Sequence, residues 1–426
     1  MSGLPSTSSA DALERVVRTD YARILATLIR LTGDVDRAED AVQEAIVRAL
    51  HTWPRDGIPD EPRAWLTVAA RRCAIDRVRR EVARDSKEAQ AVWLLDTDPP
   101  EPSESVVHDD LLRLVFTCCH PSLSLEAQVA LSLRTLGGLS TAEVARALLV
   151  PEATMAKRLT RAKQKIRQAR IPYRVPGDTE LPARLGGVLS TVYLIFNEGY
   201  AAGSGSTAVR QPLVDEALRL GRLLHGLMPD EASVTGLLGL MLLQDSRRAT
   251  RTGPEGVAVP LSDQDRSRWD QSEIREGVEL VGDGLRRTPQ RPDPYVVQAA
   301  IATCHALAPS YGDTDWTAIF SWYDVLLTVQ DTAVARLGRA AALAERDGPR
   351  AGLQEVDAVD GLADHAWWHA SRAELLVRLD RRNEAADALA RAIALGLGDA
   401  HARRLEGRIA GDVRPPSRLV DPAERV

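Results

Sequence analysis

Aromatic residues are scarce in this chain, with 8 Trp, 7 Tyr and 3 Phe among 426 residues. Its cores must be built from aliphatic side chains. An Ala- and Leu-rich composition with few alternating β-branched runs predicts an all-α protein, and the length allows two to four domains. Cysteine is scarcer still. Cys73, Cys118, Cys119 and Cys304 show no C-x-x-C spacing. Neighbours on a helix diverge by about 100°, so Cys118 and Cys119 cannot face one partner. No disulfide framework is expected, and the thiols read as reduced. No apolar run is long enough to cross a bilayer, and no secretory apolar region opens the chain. Neither a membrane span nor export is expected, and the expected compartment is cytoplasmic.

Chemistry-bearing motifs are missing too. There is no G-x-x-x-x-G-K-[ST] loop, G-x-S-x-G elbow or dinucleotide fingerprint, so no enzyme and no cofactor is expected. Cys118-Cys119-His120 has no second ligand pair at zinc spacing, and His365 with His369 has no third ligand. Both read as helix-packing residues, and no metal is expected.

What the chain does contain is concentrated in residues 139–168, LSTAEVARALLVPEATMAKRLTRAKQKIRQ. Ser140 with Glu143 three residues on is a capping box, which starts a helix at Ser140 or Thr141. Val144 and Leu148 supply its buried side, and Pro151 marks the start of a second helix. In that second helix Met155, Leu159, Ala162 and Ile166 form a core-facing stripe. Thr154, Lys157, Arg158 and Arg161 fall on the opposite face. From Ala153 to Arg170 there are seven Lys/Arg and no acid. Apolar packing behind and hydrogen-bond donors in front is the division a major-groove helix needs. The segment reads as a DNA-binding helix-turn-helix.

A net charge of −6 opposes that reading until it is divided. Residues 1–171 hold 25 Lys/Arg against 24 Asp/Glu, and the remainder holds 29 against 36. The positive charge of the first part gathers in 71–84 and 153–170, and a local cationic face matters more to phosphate binding than the total.

The chain divides by composition. Residues 1–10 are Ser-rich and read as disordered. Residues 11–84 form a helical bundle, 85–107 an acidic linker with Pro99, Pro100 and Pro102, and 108–171 a second bundle ending in the helix-turn-helix. After a Pro-rich boundary, 180–410 is a long helical region, and 411–426 a flexible tail. The 23-residue linker spans at most roughly 75–80 Å, about two turns of duplex at ~34–36 Å each.

In the first bundle Asp34 or Asp36 can cap a helix whose buried stripe is Val35, Ala38, Val42, Ala45, Ile46 and Ala49. Asp40, Gln43 and Glu44 share its exposed side, an acidic patch open to a partner or simply solvated. A turn-rich loop, 53–62, precedes a helix in which Leu66, Ala70, Cys73 and Ala74 pack inward. Arg63, Arg71, Arg72, Arg77, Arg79 and Arg80 supply its cations. A rigid loop beside a basic helix suits capture of an unstacked base, because such a base needs a shaped pocket and its phosphates need cations.

The order of an acidic D-x-x-Q-E helix, a P-R-x-W-L helix rich in Arg, an acidic linker and a terminal helix-turn-helix resembles a bacterial sigma-70-type transcription initiation factor. More narrowly, over 11–171, it is similar to the two-domain extracytoplasmic function group. The resemblance implies core RNA polymerase (β′ clamp and β flap) and promoter DNA as partners. Asp40, Gln43 and Glu44 would contact the β′ clamp helices. Loop 53–62 with Arg63, Trp65, Arg71, Arg72, Arg77, Arg79 and Arg80 would read and hold open the −10 element. Thr154, Lys157, Arg158 and Arg161 would read the −35 element. Two departures bear on promoter preference: Ala70-Arg71-Arg72 stands where the family usually has Ala-Arg-Asn, and Ala153-Thr154-Met155 where it usually has Gly-Thr-Val.

In the C-terminal half, Ala373, Ala385, Leu389 and Ala392 fall where tetratricopeptide repeats place residues between paired helices. A 34-residue shift brings Ala351 and Ala358 under Ala385 and Ala392. The half resembles the fused tetratricopeptide-like extension of a subset of these factors, opening near Val192–Tyr200. That resemblance implies regulation through a protein partner or an intramolecular contact. Two other readings stay open: a stand-alone helix-turn-helix regulator with a helical sensor domain, and an interaction scaffold.

Overall fold

The structure is a computed structural model that describes residues 9–82, 104–148, 150–169, 171–177, 179–200, 211–251 and 259–411. The expected disordered start (save Ser9 and Ala10) and the tail beyond Gly411 lie outside the described residues. So does most of the expected linker, although its residues 104–107 form the first turn of a helix. Every regular element among the described residues is helical. The chain divides into two compact units, residues 1–195 and 196–426.

The first unit opens with a three-helix bundle, α1 (Ser9–Thr32), α2 (Val35–Asp56) and α3 (Pro62–Val82). Asp34 caps α2 by accepting the Arg37 N–H at 3.0 Å. Ala38, Val42, Ala45 and Ala49 are buried as expected, while Val35 and Ile46 are only half-buried. Leu66, Ala70, Cys73 and Ala74 of α3 face them from the core. The expected loop 53–62 is shorter than its sequence suggests. Helix α2 runs on to Asp56 with Pro54 inside it, and α3 begins at Pro62. Pro54 removes one backbone hydrogen bond, but burial of Trp53, 3% exposed, stabilises the last turn. Gly57, at φ +91°, then ends the helix.

Helices α4 (Glu104–Cys118), α5 (Leu125–Thr135), α6 (Thr141–Ala147) and α7 (Glu152–Gln168) complete the unit. Helix α4 packs along α1. Asp110, fully buried, accepts from Arg30 at 2.8 Å and from Arg113 at 3.1 Å. The Tyr173 hydroxyl lies 2.9 Å from the Asp110 carbonyl oxygen and 3.2 Å from that of Ala26. The two small bundles are thus joined in one unit. The unit boundary falls later than the Pro-rich segment because α8 (Leu181–Tyr200) begins on the first unit. Arg184 donates to the Phe116 carbonyl at 2.5 Å, and Thr191 Oγ1 lies 3.1 Å from Gln128 Oε1.

The second unit holds α9 (Gln211–Leu227), α10 (Ala232–Asp245), α11 (Gln271–Arg287), α12 (Pro294–Leu307) and α13 (Trp316–Val329). It continues with α14 (Ala333–Asp347), α15 (Pro349–Asp357), α16 (Ala366–Arg378), α17 (Arg382–Ala394) and α18 (Asp399–Ala410). Small residues set the close approaches. A Cβ on Gly236 of α10 would stand 2.5 Å from the Val296 backbone nitrogen of α12. The repeat is one residue shorter than the sequence match suggested: α14, α16 and α18 begin at Ala333, Ala366 and Asp399. Ala373, Ala385, Leu389 and Ala392 are buried, and one such repeat earlier stand Ala340, Gly352, Val356 and Val359, buried likewise. Ala358, matched by the longer shift, is an exposed helix cap.

Candidate nucleic-acid interface

The capping box at the head of the helix-turn-helix is closed on both sides. Ser140 Oγ accepts the Glu143 N–H at 3.2 Å, and Glu143 Oε2 accepts the Ser140 N–H at 2.7 Å. Val144 is buried, whereas Leu148 is the half-buried cap that ends α6. Pro151 precedes α7 as its N-cap. Met155, Leu159, Ala162 and Ile166 are all buried, and α7 packs on α5 and α6. With that side anchored, Thr154, Lys157 and Arg161 are exposed and Arg158 is half-exposed. All four line one open concavity of about 490 Å³, together with Lys165 and with Ser122 and Ser124 at the start of α5. A helix N-terminus presents unpaired N–H groups to an anion, so this concavity adds backbone donors to four cations. Glu126 in the first turn of α5 is held below the usual carboxylate range by its own backbone N–H and by Ser124, with Arg158 contributing.

The cationic surface of α7 has a second sector that the sequence pattern did not separate from the first. Lys163 Nζ lies 2.6 Å from Glu39 Oε2 and 3.2 Å from Asp36 Oδ1, and Arg167 pairs with Asp36 at 2.8 Å. Asp36 and Glu39 stand one turn apart on α2, facing cations one turn apart on α7. Nothing in the sequence links positions this distant.

On α2, Asp40 and Gln43 are exposed and Glu44 half-exposed. Asp40 and Arg77, which the sequence reading placed in different interfaces, form one ion pair at 2.7 Å. Glu44 pairs with Arg48 at 2.8 Å. The same face continues into Val47 and Leu50, each 50% exposed. Sequence reasoning missed these two, although the 40/43/44/47 spacing of one helix face could have found Val47.

Around α3, Arg63 and Trp65 are half-buried in the first turn, and Trp65 meets Trp53 edge-on at 5.7 Å. Trp65, Val68 and Arg72 follow at i, i+3 and i+7, with Val68 and Arg72 exposed; Ile58 in the short loop is exposed as well. Arg71 is half-buried. The side chains of Arg79 and Arg80 lie outside the described residues. Cys118 and Cys119 are buried, and burial raises both thiol pKa values. His369 bonds the Ala363 carbonyl, and no cluster of metal-ligating side chains occurs among the described residues.

Family comparison agrees with this geometry. The sigma-70 region 2 family matches residues 16–84, and the sigma-70 region 4 family matches 113–166. The ECF RNA polymerase sigma factor SigL of Mycobacterium tuberculosis is 32% identical over 160 residues, 37% of this chain and 88% of that protein. The chain belongs to the extracytoplasmic function sigma factors. That family consists of transcription initiation factors rather than enzymes, and its domains imply core RNA polymerase and promoter DNA as partners. The probable ECF RNA polymerase sigma factor SigI of the same species is 27% identical over 205 residues, covering 46% of this sigma factor and 70% of the relative. An uncharacterized protein, R00370, of Rhizobium meliloti is 39% identical over 408 residues, 94% of this chain and 96% of its own. Residues 184–284 match a family of unknown function. No described helix is long and apolar enough to cross a membrane.

Proposed function

We propose that this sigma factor docks on the β′ clamp of core RNA polymerase through Asp40, Gln43 and Glu44 of α2, with Val47 and Leu50 extending the contact. In this reading residues 11–84 are the polymerase- and −10-binding module, and residues 108–171, reaching the β flap, are the −35-binding module. Arg63, Trp65, Arg71 and Arg72 serve the −10 element, with Arg77, Arg79 and Arg80 at the far end of α3. Thr154, Lys157, Arg158 and Arg161 read the −35 element. The observation that carries the reading is the placement of those four side chains around one open cationic concavity on a helix whose opposite face is buried.

The second unit, residues 196–426, tunes polymerase engagement. A large helical body fused behind the promoter-reading helix, without a catalytic motif, supports this. Run-off transcription with core enzyme tests both parts, comparing the full chain with residues 1–200. Initiated RNA from a genomic promoter library is expected, with the two proteins differing in yield. No RNA at all removes the promoter reading, and equal yield at every concentration removes the tuning.

A further inference from the structure

The second unit contains a cavity of about 340 Å³ between α10, α12, α13 and α14, closed on one side by Leu261. Its lining is mixed: Leu243, Ile301, Leu326 and their neighbours supply apolar surface, and Gln244, Gln298, Gln330, Tyr323 and Thr332 supply polar surface. Among the described residues its single charged lining side chain is Arg247. No described Asp or Glu lines it, although residues 172–426 carry 36 acids against 29 bases.

No described carboxylate neutralises this cation. One Arg247 nitrogen bonds the Tyr200 hydroxyl, its guanidinium stands 6.0 Å from the Trp269 ring centroid, and no described carboxylate forms an ion pair with it. A second guanidinium lies behind the wall. Arg266 is buried and donates to the carbonyls of His305 (2.8 Å) and Ala308 (2.9 Å) and to Thr314 Oγ1 (3.1 Å), again without a described carboxylate partner. The C-terminal dipole of α12 offsets only part of that charge. His305, which lines the cavity, keeps Nδ1 buried without a hydrogen-bond partner. Two guanidinium groups without a described carboxylate partner, one of them lining a chamber with an apolar sector, complement one ligand chemistry: an apolar body ending in a negative charge.

We propose that this cavity binds a small amphipathic organic anion, a carboxylate of about ten non-hydrogen atoms, with the anionic end on Arg247 and the hydrocarbon among Leu243, Ile301 and Leu326. A cation is excluded by the two arginines, and a neutral ligand leaves Arg247 unpaired. The proposal is independent of promoter recognition, because binding is read on the purified full chain without polymerase or DNA.

Octanoate and 1-octanol are titrated calorimetrically. Octanoate is expected to saturate at one per chain, with octanol at least tenfold weaker. Arg247→Met should lower octanoate affinity at least tenfold and leave octanol unchanged, while Arg247→Lys retains most of it. Ala302→Phe, which fills the chamber, should abolish both. Should that variant unfold, the methionine and lysine variants decide alone. Octanoate that fails to saturate, binds no better than octanol, or ignores both Arg247→Met and a folded Ala302→Phe overturns the proposal.

Discussion

Lys163 on α7 and Glu39 on α2, 124 residues apart, are joined at 2.6 Å, and the Glu39 carboxylate is almost wholly out of water. Removing one partner of such a pair strands the other charge. Lys163→Met should therefore cost about 3 kcal/mol of stability, read in urea unfolding. Lys163→Met with Glu39→Met should recover most of that loss. Additive costs in the double variant would mean that the pair is not coupled. The same contact bears on the proposed function: modules that engage promoter elements about two duplex turns apart would have to release it. Promoter-bound holoenzyme should accordingly leave Lys163 open to amine acetylation that the free chain resists.

Arg158, Arg161 and Lys165 all line the concavity, Lys165 standing one turn beyond Arg161 on α7. Arg158→Ala or Arg161→Ala should weaken promoter binding by holoenzyme by about 1–3 kcal/mol and relax preference at one base position. Lys165→Ala should weaken all promoters alike and lower the salt slope by about one. Unchanged base preference in both arginine variants would place the readout on another helix.

Val47 and Leu50 are half in solvent, so Val47→Asn and Leu50→Asn should change folding stability by no more than about 0.5 kcal/mol. Asp40→Lys with Glu44→Lys should abolish association with core polymerase, and the two Asn substitutions should weaken it severalfold. Pull-down against core enzyme separates the outcomes; wild-type binding by all three variants would move the docking face elsewhere.

Burial, then the nearby Arg247 and Arg266, lower His305 from an ordinary 6.5 to about 4. The folded state disfavours the imidazolium, so this contribution is fully present above pH 6.5 and is lost as pH falls toward 4. Wild type should lose up to about 3 kcal/mol through that window, and His305→Gln should show a flatter profile in urea melts at successive pH values. Parallel profiles would count against His305.

Gly236→Ala should destabilise the second unit by about 1–3 kcal/mol, because its Cβ would meet Val296 backbone rather than a side chain that can turn aside. Thermal melting measures it, and a neutral effect would show that α10 and α12 can separate freely.

Much of the site was written locally. The capping box at Ser140 and Glu143, the stripe Met155, Leu159, Ala162 and Ile166, and the outward set Thr154, Lys157, Arg158 and Arg161 follow from helical period and cap chemistry. Loop 53–62 was misread because Pro54 marks a break in sequence, whereas burial of Trp53 carries the helix past it. The longer repeat shift failed by a single position because alanine identity carried the match, while the observed period shows in where each helix begins.

Period, caps and composition were enough to establish helices, their faces and the family they compose, since each depends on residues within a turn or two of one another. Only tertiary structure decided which charges meet: Lys163 with Glu39, Asp40 with Arg77, and Arg247 with no carboxylate at all among the described residues. Ion pairing falls off with distance in space, and the chain's path through its buried cores, not its order, sets that distance.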